Sequence, residues 1–279
     1  MTAPFSSPKP GSLLVCTDGS EASQGAIEAA LALARRWSCR ILLLQVLEYN
    51  PGFASQALDS VPEWEQEARE GLQAVRDRAL ALGITTEIMV HRGEVVHHAI
   101  LAEAEQRRPD LIIMGRRGRT DLAEVLMGSV TARVIDQSPM NVLVVPRKAP
   151  LTFQRLLVAH DGSSSSEAAW RVALILSRAC FCYLLAVCVA QKTADLPDVQ
   201  EFLKRLQGEA DREGIPLDTL MLRGNPDEAI IQAANARGAD LFILGSRGRS
   251  GLTRLLRGSV AEQIIGKARC PVLVVKHLI

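Results

Sequence analysis

Two stretches of the 279-residue sequence combine glycine spacing with positive charge in a way that suits phosphate chemistry. Gly115 and Gly118 stand three apart in Met114-Gly-Arg-Arg-Gly-Arg-Thr120, and Gly128-Ser129-Val130 follows ten residues later; Gly245, Gly248 and Gly258-Ser259-Val260 repeat the spacing. Glycine permits positive φ and close backbone approach, so successive amide N–H groups can ring a phosphate, and a helix opening behind the serine adds the positive end of its dipole. One such pattern reads equally well as a strand-to-helix turn in which Ser129 or Ser259 is an ordinary cap. The doubled pattern is more specific, because a turn needs neither both glycine pairs nor their fixed separation. Arg117, Arg119, Arg247 and Arg249 recur at matching loop positions, which suits pairing with a polyphosphate, although solvation is the default for any single exposed arginine.

Asp18 and Asp161 end the first strand of each half, at the carboxyl edge of the sheet where open α/β folds bind ligands. A carboxylate there either caps the following helix, with Ser164-x-x-Glu167 fitting a capping box, or accepts hydrogen bonds from a base or ribose. The two readings weigh about equally. His160 lies near the same edge but has Thr17 opposite it in the other half, and His97-His98 has no carboxylate or cysteine at ligand spacing, so no metal site is expected. Gly93-Glu94 and Gly224-Asn225-Pro226 read as turns. No Gly-x4-Gly-Lys-Ser/Thr loop, no Gly-x-Ser-x-Gly elbow and no repeated histidine base is present, which leaves catalysis without dedicated residues.

The elements that must carry these residues follow from an internal repeat. Sliding the chain by 130 places Asp110 to Arg147 on Asp240 to His277 with 17 identities in 38 positions, while Leu13 to Ser20 aligns with Leu156 to Ser163 at a shift of 143. The stretch from Asp161 to Gly224 is therefore shorter than its counterpart from Asp18 to Gly93. The missing piece is expected to be the equivalent of Tyr49 to Pro62, a Pro- and Ser-containing loop in copy one. In copy one the apolar runs predict strands at Leu13 to Thr17, Ile41 to Leu47, Glu87 to His91, Leu111 to Met114 and Val142 to Val145. Three- and four-residue spacing predicts helices at Ser23 to Arg36, Glu63 to Leu82, Val95 to Arg107 and Val130 to Gln137. Strict alternation of strand and helix with right-handed crossovers gives an α/β fold, two tandem doubly wound domains at 1–148 and 152–279 joined near Lys148-Ala-Pro150.

Bulk properties agree with that reading. The chain is longer than one comfortable core. Its 48% apolar and 23% charged residues are ordinary for a globular chain. A net charge of +1 gives no reason to expect the broad electrostatic attraction that drives binding to nucleic acid or acidic membranes. Met1 to Ser12 has no signal-like apolar run, and the six scattered cysteines read as reduced, buried small hydrophobes, so a cytoplasmic location is expected.

With Val15-x-x-Asp18-Gly-Ser20, Val158-x-x-Asp161-Gly-Ser163, the two glycine loops and the closing Val-Leu-Val-Val runs at 142–145 and 272–275, nearly the whole chain resembles the tandem two-domain members of the universal stress protein family, in its ATP-binding branch. The resemblance implies a five-stranded parallel sheet of order 3-2-1-4-5 in each copy. It places adenine near Asp18 and Val46, and near Asp161 and Val187, with Cys16 and Ala159 also among the nucleotide-binding residues. Ribose and phosphates would lie along Gly115, Arg117, Gly118, Arg119, Gly128, Ser129 and Val130, and along Gly245, Arg247, Gly248, Arg249, Gly258, Ser259 and Val260. It further implies pairing of the last strands, Asn141 to Val145 with Pro271 to Val275, within the chain; whether tandem chains form a homodimer stays open. Arg116 against Ser246, and Asn141 against Pro271, depart from strict repetition.

The leading expectation is an ATP-binding regulator or sensor of stress, with ATP, ADP or AMP as ligand, Mg²⁺ as an accompanying ion, and an unidentified regulatory protein as partner. A slow Mg²⁺-dependent ATPase and a nucleotide-free partner-binding module are the alternatives, and a flavin-binding redox protein is a remote one.

Overall fold

The computed structural model describes residues 10–49, 61–118, 127–246 and 260–276. Contacts divide the chain into two units, one spanning Lys9–Lys148 and the other containing Ala149–Ile279.

In the first unit the strands are β1 (Ser12–Thr17), β2 (Arg40–Glu48), β3 (Thr86–Gly93), β4 (Leu111–Gly115) and β5 (Val142–Val145), and the described α-helices are α1 (Gln24–Trp37), α2 (Val61–Ala81), α3 (Val96–Arg107) and α4 (Ser129–Gln137). All strand pairs are parallel: β2 lies between β3 and β1, and β4 lies between β1 and β5, giving the order 3-2-1-4-5. Every residue of β1, β4 and β5 is buried, whereas β3 at the outside is mostly half-buried. This is why the first three read as unbroken apolar runs and β3 does not. Strand order reverses between β1 and β4, so the chain leaves these two neighbours in opposite directions and opens a crevice at their carboxyl ends.

The helix α1 is built of Ala and Leu, strong helix formers, and turns Ala26, Ile27, Ala30, Leu31, Leu33, Ala34 and Trp37 inward. It stops at Ser38, which adopts φ 54° and returns its N–H to the Ala34 carbonyl, a left-handed residue ending the helix. The helix α2 starts at Val61, inside the segment expected to be a loop up to Pro62. Pro62 lies in the first described turn, where a helix needs no backbone donor, so its ring does not bar helix there. Residues 50–60 of that expected loop lie outside the described residues.

The second unit repeats the plan with β6 (Arg155–Ala159), β7 (Tyr183–Ala190), β8 (Leu217–Arg223), β9 (Leu241–Gly245) and β10 (Val272–Val275), and with α5 (Ser164–Cys180), α6 (Leu196–Arg212), α7 (Pro226–Arg237) and α8 (Val260–Lys267). Its parallel order is β8-β7-β6-β9-β10, the same 3-2-1-4-5 in its own count. Trp170 of α5 is fully buried and donates Nε1–H to Glu209 Oε2 of α6 at 2.7 Å, tying the helices together. Residues 191–195 join β7 to α6 whereas residues 49–60 separate β2 from α2, and α6 has 17 residues against 21 in α2, which together supply most of the second copy's shortening.

All six cysteines are free thiols, and Cys16, Cys39, Cys182, Cys188 and Cys270 are buried. Burial pushes the Cys16, Cys188 and Cys270 thiols up to about 12 and those of Cys39 and Cys182 up to about 11. Among the described residues no helix is long and apolar enough to cross a membrane.

Candidate functional site

At the carboxyl end of β1 the chain turns sharply through Asp18-Gly19-Ser20. Gly19 takes φ 76°, and its N–H donates to Thr17 Oγ1 at 3.1 Å. That φ strains any residue with a side chain and suits glycine. Asp18 Oδ1 accepts from the Ser20 N–H at 3.1 Å and from Ser20 Oγ at 2.6 Å, so one oxygen of the carboxylate shapes the turn. The other faces the loop leaving β4: a Cβ placed on Gly118 would stand 2.6 Å from Asp18 Oδ2. Only the absence of a side chain at Gly118 lets the loop backbone come this close. The carboxylate and the glycine loop singled out separately in the sequence therefore meet at one place.

The loop is anchored at both ends. Arg116 donates its N–H to the Val145 carbonyl at 3.1 Å, Gly128 donates to the Arg116 carbonyl at 2.9 Å, and Thr131 Oγ1 donates to the Gly115 carbonyl at 3.0 Å. These bonds draw Gly115, Arg116 and Arg117 against Gly128 and the start of α4. The expected cap is displaced by one residue: Gly128, at φ −63° and ψ 146°, is the N-cap, and Ser129 is the first helical residue. Glycine has no side chain to fold back, so the N-cap supplies no side-chain cap to the first turn of α4, and the positive end of the helix faces the loop. Ser129 is exposed and Val130 half-buried. At the other end of the crevice Cys16 is buried, and Val46, half-buried on β2, has its Cγ1 3.6 Å from the Cβ position of Gly93. Arg119, Arg247, Gly248, Arg249, Gly258 and Ser259 lie outside the described residues.

In the second unit the same turn is Asp161-Gly162-Ser163, with Gly162 at φ 83° and Asp161 Oδ1 accepting the Ser163 N–H at 3.0 Å. The histidine that had no counterpart in composition has one in role. Gly162 donates its N–H to His160 Nδ1 at 3.2 Å, as Gly19 does to Thr17 Oγ1. This leaves the imidazole proton on Nε2, directed at Glu167 Oε2 at 3.2 Å. With both ring nitrogens engaged and 3% exposure, His160 is a structural group and not a proton-transfer base. Burial is the main cause holding its pKa below the ordinary histidine value, and Arg205 adds to it.

The capping box expected from Ser164-x-x-Glu167 is replaced by another arrangement. Ser163 is the N-cap and its Oγ accepts the Ser166 N–H at 3.1 Å, while the Glu167 side chain turns to His160 and accepts two bonds from Arg205, at 3.3 and 2.7 Å. Arg205 lies on α6 and comes within 5.9 Å of the Phe202 ring centroid. Ala159 is half-buried; Val187 is fully buried, and its carbonyl accepts the His160 N–H at 2.8 Å. Gly245 packs against the start of α5, where an added Cβ would stand 2.5 Å from the Ser165 carbonyl carbon, and Val260 opens α8. Sequence reasoning gave Glu167 a capping role instead of its bonds to His160 and Arg205, and missed Phe202 and Arg205, which lie on a helix whose pattern reports packing alone; their signal lies in the comparison of α6 with α2.

The universal stress protein family model matches residues 11–146 and again 152–276. Universal stress protein Slr1230 of Synechocystis sp. is 25% identical over 285 residues, covering 94% of this chain and 98% of that protein. Universal stress protein MJ0531 of Methanocaldococcus jannaschii is 47% identical over 77 residues, 28% of this chain and 45% of that one. The crystal structure of a universal stress protein from Archaeoglobus fulgidus superposes with a TM-score of 0.79 at 25% identity, covering 98% of this chain and 99% of its own. The chain belongs to the universal stress protein family, as a tandem of two of the family's domains.

Proposed function

We propose that the chain is a nucleotide-binding regulator of the stress response whose ligand is an adenine nucleotide: ATP, ADP or AMP. The observation that carries this reading is the contact between the Asp18 carboxylate and Gly118, beside the glycine-capped start of α4. It makes one crevice with a hydrogen-bond acceptor for a base or ribose at one end and backbone donors for phosphate at the other. The phosphates lie along Gly115, Arg117, Gly118 and Gly128 to Val130, and the base lies towards Cys16 and Val46. Mg²⁺ accompanies the phosphates. His160, the titratable ring at the second turn, has both nitrogens engaged and is not placed to act as a base. Binding, and not turnover, is the event that acts on a protein partner. The buried free thiols suit a reducing compartment such as the cytoplasm.

Isothermal titration calorimetry of the full chain with ATP and with ADP, with and without Mg²⁺, tests the reading. Saturable binding at micromolar to submillimolar concentration supports it, and no heat up to millimolar nucleotide overturns it.

A further inference from the structure

The repeat that makes the two sites look alike also shows where they part. The helices α2 and α6 correspond at an offset of 131: Leu72 matches Leu203, Ala79 matches Ala210 and Ile84 matches Ile215, all buried. At that offset Gly71 matches Phe202. In the second unit the Phe202 ring leans over the turn that follows β6, so that a Cβ on Gly162 would stand 2.8 Å from Phe202 Cζ and 3.0 Å from Cε2. The ring is supported underneath by Cys188, Ala190, Val199 and Leu203, together with Leu196. Its centroid is 5.6 Å from that of His160, and the Arg205 guanidinium stands 5.9 Å away, itself held by Glu167. In the first unit no described atom comes within 4 Å of a Cβ on Gly71.

Asp161 and the carboxyl end of β7 bound the place a base would take in copy two, and the Phe202 ring rests there, against the residue after Asp161 and beside Cys188, the residue after Val187. We propose that Phe202 fills the base end of the second crevice, so that the chain binds one adenine nucleotide, in the first unit, and holds the second unit closed. This rests on the nucleotide reading above. Moving the ring aside exposes its apolar face and breaks its contacts with His160 and Arg205, which corresponds to about 10- to 100-fold weaker binding. Glycine at position 71 places no such obstacle in copy one.

Native mass spectrometry and calorimetry of the full chain with ADP test this. Wild type is expected to take up one nucleotide, Phe202→Ala two, and Gly71→Phe none. Gly71→Phe serves as the second variant because its Cβ meets no described atom within 4 Å, and phenylalanine is a better helix former than glycine, so the fold is retained. Two equivalent nucleotides on wild type, or one on Phe202→Ala, or undiminished binding by Gly71→Phe overturns the proposal. No nucleotide on either wild type or Phe202→Ala overturns the nucleotide reading and this proposal with it, a result distinct from the other three.

Discussion

Gly162 donates its backbone N–H to His160 Nδ1 at 3.2 Å, so the shape of the turn after β6 depends on an imidazole nitrogen staying unprotonated. In the first unit the same N–H is received by a hydroxyl, Thr17 Oγ1, which does not titrate.

This difference makes one turn sensitive to pH. The folded-state pKa of His160 is lowered, first by burial and then by Arg205, with Glu167 and Asp161 opposing. The unfolded chain, with histidine near about 6.5, therefore binds a proton that the folded chain refuses, and stability rises with pH across that window. The contribution is complete above about 6.5 and is lost as pH falls towards the lowered folded value. His160→Thr, which installs the residue of the first unit, should flatten the dependence. Melting temperatures of wild type and variant across the mildly acidic to neutral range check this; parallel curves would show that His160 has no part in it.

Removing either partner of the Glu167–Arg205 pair should have unequal effects. Glu167→Ala strips the acceptor from the buried His160 Nε2–H. It is expected to destabilise by about 1–3 kcal/mol, the penalty of a buried donor left without a partner. Arg205→Ala loses an ion pair whose arginine side chain is 41% exposed. A pair so well solvated is expected to contribute less than about 1 kcal/mol. Urea unfolding of the two variants measures the difference. Equal losses would mean that His160 finds another partner.

Gly118→Val should separate ligand binding from stability. Its Cβ would collide with Asp18 Oδ2, forcing the carboxylate or the loop to move, yet the position is outside every helix and strand. Nucleotide affinity is expected to fall at least about tenfold while stability changes by less than about 1 kcal/mol. Calorimetry beside thermal melting gives both numbers, and unchanged affinity would remove Gly118 from the crevice.

Two glycine-to-alanine changes should act with opposite sign. Gly71 sits inside α2 with no described atom within 4 Å of a new Cβ. Gly71→Ala should therefore stabilise by about 0.5–1 kcal/mol. Gly245→Ala drives a methyl into the Ser165 backbone, 2.5 Å from its carbonyl carbon, and should destabilise by about 1–3 kcal/mol. Chemical denaturation of both variants is the check.

The strands were legible in the sequence because burial on both sides leaves no choice but apolar residues: Val142–Val145 is found where the apolar run predicts it, and Leu13 to Thr17 extends back to Ser12. Helix starts were less legible. Pro62 reads as loop punctuation but is tolerated in a first turn, and Ser129 looks like a cap although Gly128 occupies that position. The meeting of Asp18 with Gly118 joins residues far apart in the chain, and no local pattern announces it. The equivalence of Thr17 and His160 was hidden for a different reason, since a hydroxyl and an imidazole share no composition, only the ability to accept one N–H.

The buried thiols have a consequence for watching this molecule move. Cys16 in β1, Cys188 in β7 and Cys270 before β10 are covered and almost wholly protonated at neutral pH. A maleimide or a peroxide therefore meets an unreactive group until the surrounding strand opens. Each is a silent clock fixed in a different part of the chain. Pulse alkylation followed by peptide mapping would read the opening frequency of β1 separately from that of β7, and would show whether a ligand slows one clock and leaves the other running.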